Sequence, residues 1–266
     1  VSDRLKLQGP AGPIHSDQGA LFGSREVVGF QRGDLIVEPM DRDTANELIV
    51  ANHYSGKFYN ASYIHLAVVW GEELVGVLQY GYAMNPTSQG GVVAGTEPDQ
   101  YLELNRMWID DRMPRNSESA AIALSLKFIR AAHPGVRWIQ SFADERCRLF
   151  GGVYQACSFL YCGEHTAVFW EIDGQWFHNS IMTRDPDLTP SAKWAQDNRE
   201  RATPHNLRQF RYVKFLRPKY RRDLLLPVLP YPKPHAAGLG EKRPASSREV
   251  QVRCLPAALD DEEMAA

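Results

Sequence analysis

The run Tyr101-Leu102-Glu103-Leu104-Asn105-Arg106-Met107-Trp108-Ile109, with the loop and helix behind it, constrains this chain more than any other stretch. Leu102, Leu104 and then Met107 alternate as on a strand until the pattern breaks at Asp110-Asp111. A loop over residues 110–116 holds Pro114 and Arg115 and leads into Ser117-Glu118-Ser119. Ala120, Ala121, Ala123, Leu124 and Phe128 then predict a helix up to about His133-Pro134-Gly135. Residues 136–142 read as a short buried strand that ends on Ala143-Asp144. Strand, helix and strand in this order make a βαβ unit. It sets basic Arg115 beside a helix start whose backbone N–H groups can hold an anion. It also puts the Asp144 carboxylate where a strand meets a loop.

The flanking sequence extends this unit on both sides. Residues 34–39 predict a short strand, and Thr44, with Glu47 three residues on, predicts a capped helix to Asn52. After His53-Tyr54-Ser55-Gly56-Lys57, strands at 63–70 and 73–80 are joined by a tight Gly71-Glu72 turn. Residues 81–100 form a loop long enough to suspect a role. Residues 151–157 are helix-like, 159–163 lead back to a strand at 166–172, Asp173-Gly174 is a turn, 178–190 are loop, and Ser191 starts a helix to about Glu200. An antiparallel front and a βαβ back half predict an α/β fold, a mixed central sheet flanked by helices with a basic C-terminal extension. Such an order resembles the GNAT acyltransferase fold. The cofactor loop of that class reads Arg or Gln, two residues, Gly, one residue, Gly or Ala. Arg115-Asn116-Ser117-Glu118-Ser119-Ala120 follows it except at Glu118, which stands where glycine is expected.

At 266 residues and 44% hydrophobic content the chain suffices for one sizeable core with tails. Gly and Pro at positions 9–13 and scattered Gly and Ser to Gly23 make residues 1–33 a flexible extension. Residues 34–226 are the domain, and 227–266, closing on Asp260-Asp261-Glu262-Glu263, a disordered tail. The cysteines, Cys147, Cys157, Cys162 and Cys254, form no CxxC pair, and no signal or long apolar run is present, so a reducing cytoplasmic setting is expected. No stretch approaches the roughly 20 apolar residues that span a bilayer. Cys157, Cys162 and His165 match no standard zinc spacing and read as core residues.

Five segments in order, His53-Tyr54-Ser55-Gly56-Lys57, Glu103-Leu104-Asn105-Arg106, Pro114-Arg115-Asn116-Ser117-Glu118-Ser119, Phe142-Ala143-Asp144 and Val153-Tyr154-Gln155-Ala156, resemble the Mom family of bacteriophage DNA-modification proteins over roughly residues 34 to 226. The resemblance implies a GNAT-like fold and conversion of adenine in DNA to its N6-carbamoylmethyl form, which shields phage DNA from host restriction. It places functional residues at Asp144, as base or metal ligand, at Tyr154, as hydrogen-bond partner of the base or as acid, and at Arg106. Tyr54 joins this catalytic group. Acetyl-CoA is the expected donor, its arm beside Leu104 and Arg106 and its phosphates near Arg115, Ser117 and Ser119. A carbamoylmethyl product joins nitrogen to the methyl carbon, which ordinary acyl transfer does not do. Iron, also implied by the resemblance, would be held by His53, Tyr54 and Asp144, a hard donor set. The same residues have plainer readings: His53 and Asp144 as caps, the tyrosines as partly buried aromatics, Arg106 as an ion-pair member.

From Lys193 to Arg222 ten Lys or Arg face two acids, with Phe210, Tyr212, Phe215 and Tyr220 interleaved. Either this is a solvated face or it tracks phosphates and touches bases. With the family resemblance, Arg208, Arg211, Lys214, Arg217, Lys219, Arg221 and Arg222, joined by Lys57, are expected to contact double-stranded DNA around a flipped adenine. A homodimer would suit such a duplex. A different expectation is a GNAT-type acyltransferase acting on an amine of a hypermodified pyrimidine, a small molecule or a protein. A third is a DNA-binding module without catalysis.

Overall fold

A computed structural model describes residues 5–6, 35–145, 150–183 and 190–233. Their strands form a nine-stranded sheet in the order β1-β2-β3-β4-β5-β6-β9-β7-β8. The strands are β1 Leu5–Lys6, β2 Leu35–Pro39, β3 Ser62–Trp70, β4 Glu73–Gly81, β5 Tyr101–Ile109, β6 Trp138–Asp144, β7 Leu160–Ile172, β8 Gln175–His178 and β9 Thr203–Phe215. The helices are α1 Arg42–Asn52, α2 Pro86–Gly90, α3 Ser117–Ala132, α4 Gly152–Ala156, α5 Asn179–Thr183 and α6 Pro190–Asp197. The front is antiparallel, β5 and β6 are parallel across α3, and β9 then lies antiparallel to both β6 and β7. This is the mixed α/β sheet, flanked by helices, that the element order predicts.

Helix α1 begins two residues before Thr44, because Asp41, three residues before it, accepts the Thr44 amide on its carboxylate at 2.9 Å and caps the helix itself. The two principal helices cover opposite faces. Helix α3 buries Ile122, Leu124 and Ile129 against Leu66, Leu78, Tyr80, Leu102 and Leu104, while Ala45 and Ile49 of α1 pack on Val77 with Trp108 alongside. Ile129→Ala, at a fully buried position, should lower unfolding stability by about 2–5 kcal/mol, measured from the urea midpoint.

Between these faces β5 changes sides. Gln79 pairs with Arg106 but the next residue, Tyr80, pairs with Leu104, so Asn105 is an extra residue on β5. A bulge of this kind re-aims every side chain after it. Leu102 and Leu104 therefore point to α3 before it, and Met107 and Ile109 after it, which leaves Arg106 and Trp108 on the α1 side.

Several sequence expectations are corrected. Strand β7 is continuous from Leu160, because a register shift between Tyr161 and Glu164 absorbs the polar stretch. Residues 175–178 form β8 and residues 179–183, within the stretch expected as loop from 178, form α5, with Phe177, Ile181 and Met182 sharing a satellite core with Ala192 and Ala195 of α6. The 81–100 loop holds α2. The tail expected to be disordered from 227 is docked at its start: the Leu229 amide donates to the Tyr161 carbonyl at 2.9 Å, and the Tyr231 hydroxyl to the Phe159 carbonyl at 2.8 Å. Residues 234–266 and Cys147 and Cys254 lie outside the described residues, as does the 1–33 extension except for Leu5–Lys6, which pairs with Val37 and Ile36. Among the described residues no helix is long and apolar enough to cross a membrane.

Candidate active site where two strands part

Strands β5 and β6 are joined by only three rungs, Tyr101 to Trp138, Leu102 to Ile139 and Glu103 to Gln140, and then diverge. Beyond Glu103 the side of β5 that faces β6 has no strand partner. A cleft of about 910 Å³ occupies the gap, lined among others by His53, Tyr54, Arg106, Asp144 and Tyr154. Four separate segments thus deliver the residues that the sequence singled out: the end of α1, the bulged half of β5, the last residue of β6, and α4.

Each is held from behind. Asp144 is buried and pairs in register with Gln209 of β9, which fixes its backbone. The Tyr154 phenol lies near the Ser141 hydroxyl, which donates to the Leu104 carbonyl at 3.3 Å. Burial pushes the Tyr154 phenol well above its ordinary range, a shift that the nearby Tyr54 reinforces. Tyr154 therefore keeps its proton and can donate it. Gly151 makes this packing possible. Its φ of +76° is left-handed, and a Cβ there would lie 2.3 Å from the Tyr212 ring and 3.0 Å from that of Tyr154.

Arg106, turned toward α1 by the bulge, donates through Nε to the Lys57 carbonyl at 3.1 Å and through Nη1 to the Asn105 carbonyl at 2.8 Å. Its guanidinium also lies 5.6 Å from the Tyr59 ring centroid. His53 and Tyr54 stack at 4.1 Å between centroids. Burial first, and the Arg106 charge second, push the His53 imidazole down to about 3, so it is neutral near pH 7. On the last paired rung Glu103 accepts from Gln140 at 2.7 Å, and burial raises its carboxyl to about 6.

The fit to a coenzyme A thioester divides between its two ends. The unpaired flank of β5 from Leu104 onward suits an extended arm that seeks main-chain hydrogen bonds. At α3, Asn116 is left-handed and makes no side-chain cap, so no side chain competes there for an anion. The two serines are not donors, however. Ser117 donates its hydroxyl to the Pro114 carbonyl and Ser119 donates its own to the Asn116 carbonyl at 2.9 Å, so neither proton is left for a phosphate oxygen. Arg115 is exposed and outside the cleft, whereas Glu118, Asp110 and Asp111 line it. An anion at this end would meet the backbone amides of Glu118 and Ser119, since those of Ser117 and Ala120 already donate to the Pro114 and Asn116 carbonyls.

The metal expectation fits less well. Among the described residues no group of three or more His, Cys, Asp or Glu could hold a metal ion. His53 and Asp144 are the two donors of that kind in the iron set, which leaves the Tyr54 phenol to complete it.

The expected DNA-contacting residues are dispersed, because β9 is an internal strand and not a basic edge. Arg208 forms ion pairs with Glu145 at 2.8 Å and Glu164 at 3.5 Å. Arg211 donates to Gln140 at 3.0 Å and covers the Phe142 ring, and Lys214 donates to the Cys157 carbonyl at 2.8 Å. Arg217 donates to the Arg130 carbonyl at 3.1 Å at the end of α3. Lys219, Arg221 and Arg222 are exposed in the turn Pro218–Asp223. That turn follows the end of β9 paired to Trp138, and Asp144 is at the opposite end of β6. Seven residues of strand, at about 3.3 Å each, put it about 20 Å away. Lys57 adjoins the cleft through Arg106.

Sequence reasoning did not single out Ser141 or Gln140 behind the cleft. Two polar residues inside the otherwise apolar run of β6 were the available signal.

A mixed sheet whose central parallel strands part around a cleft defines an open-sheet α/β protein. Solved structures give distant likenesses of that kind: Arabidopsis thaliana NAA60 in complex with a bisubstrate analogue (TM-score 0.43, 10% identity, 68% of this chain and 97% of that one) and the ribosomal-protein-S5-alanine acetyltransferase from Vibrio fischeri (TM-score 0.40, 11% identity, 71% and 96%). Residues 34–233 match the model of the Mom protein family, and over 211 residues the chain is 46% identical to methylcarbamoylase mom of Escherichia phage Mu, covering 78% of this chain and 88% of that protein. The chain belongs to the Mom family.

Proposed function

We propose that this chain is a transferase that converts adenine in phage DNA to N6-carbamoylmethyladenine, drawing on acetyl-CoA, and so protects that DNA from host restriction. The observation that carries the reading is the convergence of His53, Tyr54, Arg106, Asp144 and Tyr154 on one cleft from four segments of chain. The name of the phage Mu relative, a methylcarbamoylase, supports the transferred group.

Adenine's exocyclic amine is conjugated with its ring and poorly nucleophilic. It has to leave the base stack, be oriented and lose a proton. In this reading Asp144 accepts the N6 proton. Tyr154, which stays protonated, donates a hydrogen bond to the bound base, and Tyr54 and Arg106 orient the reacting groups. The thioester arm lies along β5 from Leu104, with its phosphates on the first turn of α3. Joining nitrogen to the methyl carbon breaks a C–H bond and is a two-electron oxidation, chemistry that a redox metal would supply if held by His53, Tyr54 and Asp144; the steps assigned here are those of the chain's own residues. Lys57 would meet the phosphates near the flipped base. Lys219, Arg221 and Arg222 would meet them about six base pairs away, at about 3.4 Å per pair.

Mass analysis of nucleosides from DNA of a host expressing the protein tests this directly. Adenine carrying the carbamoylmethyl increment is the expected result. Unaltered adenine, with acylation found on a hypermodified pyrimidine, a small molecule or a protein, would replace it with the general acyltransferase reading.

A further inference from the structure

Strand β6 sends alternate side chains to the two faces of the sheet. Ile139 and Ala143 belong to the core under α3, whereas Trp138 belongs to a cluster on the opposite face, so Gln140, Phe142 and Asp144 share that opposite face. An interior strand has a neighbour on each flank. On the β9 flank Phe142 has its register partner Arg211, whose guanidinium carbon lies over the ring at 4.8 Å from its centre. That guanidinium is held in turn, since Nη1 donates to the Gln140 side-chain carbonyl at 3.0 Å. His165 of β7 approaches the same ring from beyond β9, at 5.5 Å between centroids and 89° between planes. On the other flank the last rung joins Glu103 to Gln140, so Phe142 is the first residue of its face to have lost a β5 neighbour. Half-buried, it borders the cleft there, with Asn105 and Arg106 across the gap.

We infer that Phe142 is the platform on which an extruded purine stacks, backed by Arg211 on its β9 side and turned on its β5 side to the slot that the parting strands leave open. A base taken out of the helix has two flat faces to cover, and an aromatic ring covers one of them whatever the base. The position also suits the reaction. Side chains two apart on one strand face stand about 6.6 Å from each other. A hydrogen bond from an exocyclic amine to Asp144 takes up about 3 Å of that distance, and a purine lying on Phe142 spans the remainder. Because Gln140 anchors the guanidinium behind the ring, the platform is set before the base arrives. The amine as the group presented to Asp144 rests on the adenine reading, whereas the stacking of an unpaired base does not.

The test measures binding of the full chain, without acetyl-CoA, to two DNA duplexes that differ in one unpaired nucleotide, adenine in one and a baseless sugar in the other. Nucleoside mass analysis of DNA from expressing cells runs in parallel. The wild type should prefer the adenine duplex by about 10–100-fold. Phe142→Leu, which stays apolar but has no ring, should bind the baseless duplex as the wild type does and lose most of that preference. Binding to the baseless duplex reports folding, so a loss confined to the adenine duplex isolates the stack. Phe142→Met repeats the comparison with a different ringless side chain, and Phe142→Tyr, which keeps the ring, should keep the preference. A wild type without the preference, or ringless variants that retain it, would overturn the inference even if adenine is modified. A preference that depends on the ring, in a chain that leaves adenine unaltered, would uphold the platform and reject the adenine reading instead.

Discussion

Asp144→Asn should reduce adenine modification by about 10²–10⁴-fold while leaving DNA binding and folding intact. Asparagine keeps the shape of the side chain, and the backbone is held by pairing with Gln209 of β9. The charge and the capacity to accept a proton are removed, and a positioned general base contributes a factor of that size. Nucleoside mass analysis on matched expression levels, beside a gel-shift titration, separates chemistry from binding. Unchanged modification would place the base elsewhere. An intact biological effect without modification would point to a module that merely binds DNA.

The second large effect is expected at a residue with no side chain. Gly151→Ala adds a methyl group that meets Tyr212 Cε2 at 2.3 Å and Cζ at 2.7 Å, and it also forces alanine into a left-handed conformation. Tyr212 cannot swing aside cheaply. It is fully buried, its hydroxyl donates to the Phe150 carbonyl, and it accepts from Gln155 Nε2 at 3.0 Å. The left-handed strain of about 1–2 kcal/mol and overpacking of about 1–3 kcal/mol together predict a stability loss of about 2–5 kcal/mol. Tyr154, 3.0 Å from the added methyl, should be displaced enough to lower modification about 100-fold in the fraction that folds. Gly152→Ala is the control, since nothing lies within 4 Å of its added Cβ. Equal effects at 151 and 152 would show that helix α4, and not the Tyr154 contact, is the sensitive feature.

Much of this arrangement is legible in the sequence, and the exceptions have physical causes. Strand β5, helix α3 and strand β6 announce themselves because each has one apolar face with the right period. The break in β5 is visible too, since its apolar positions move from Leu102 and Leu104 to Met107 and Ile109. One-dimensional alternation does not say that this slip is a bulge aiming Arg106 at the loop after α1. Strand β8 is missed because four residues rich in aromatics, after a turn, carry too few periods to distinguish them from loop. The basic C-terminal run is only partly legible for a related reason. Charge density records how many cations a segment has, but only tertiary pairing shows that Arg208, Arg211 and Lys214 are used inside the sheet while Lys219, Arg221 and Arg222 remain exposed. The slot beside Phe142 escapes for want of a third dimension, since it exists only where β5 and β6 part in space.

The inserted Asn105 divides β5 between two tasks. Upstream of it, inward positions are committed to cohesion of the molecule, and a change there is felt as altered melting. Downstream, position 106, which would have been inward, is released to the rim of the cleft, so it can vary while the hydrophobic interior is left undisturbed. One additional amino acid in a nine-residue strand is enough to let the scaffold and its workbench evolve on separate terms.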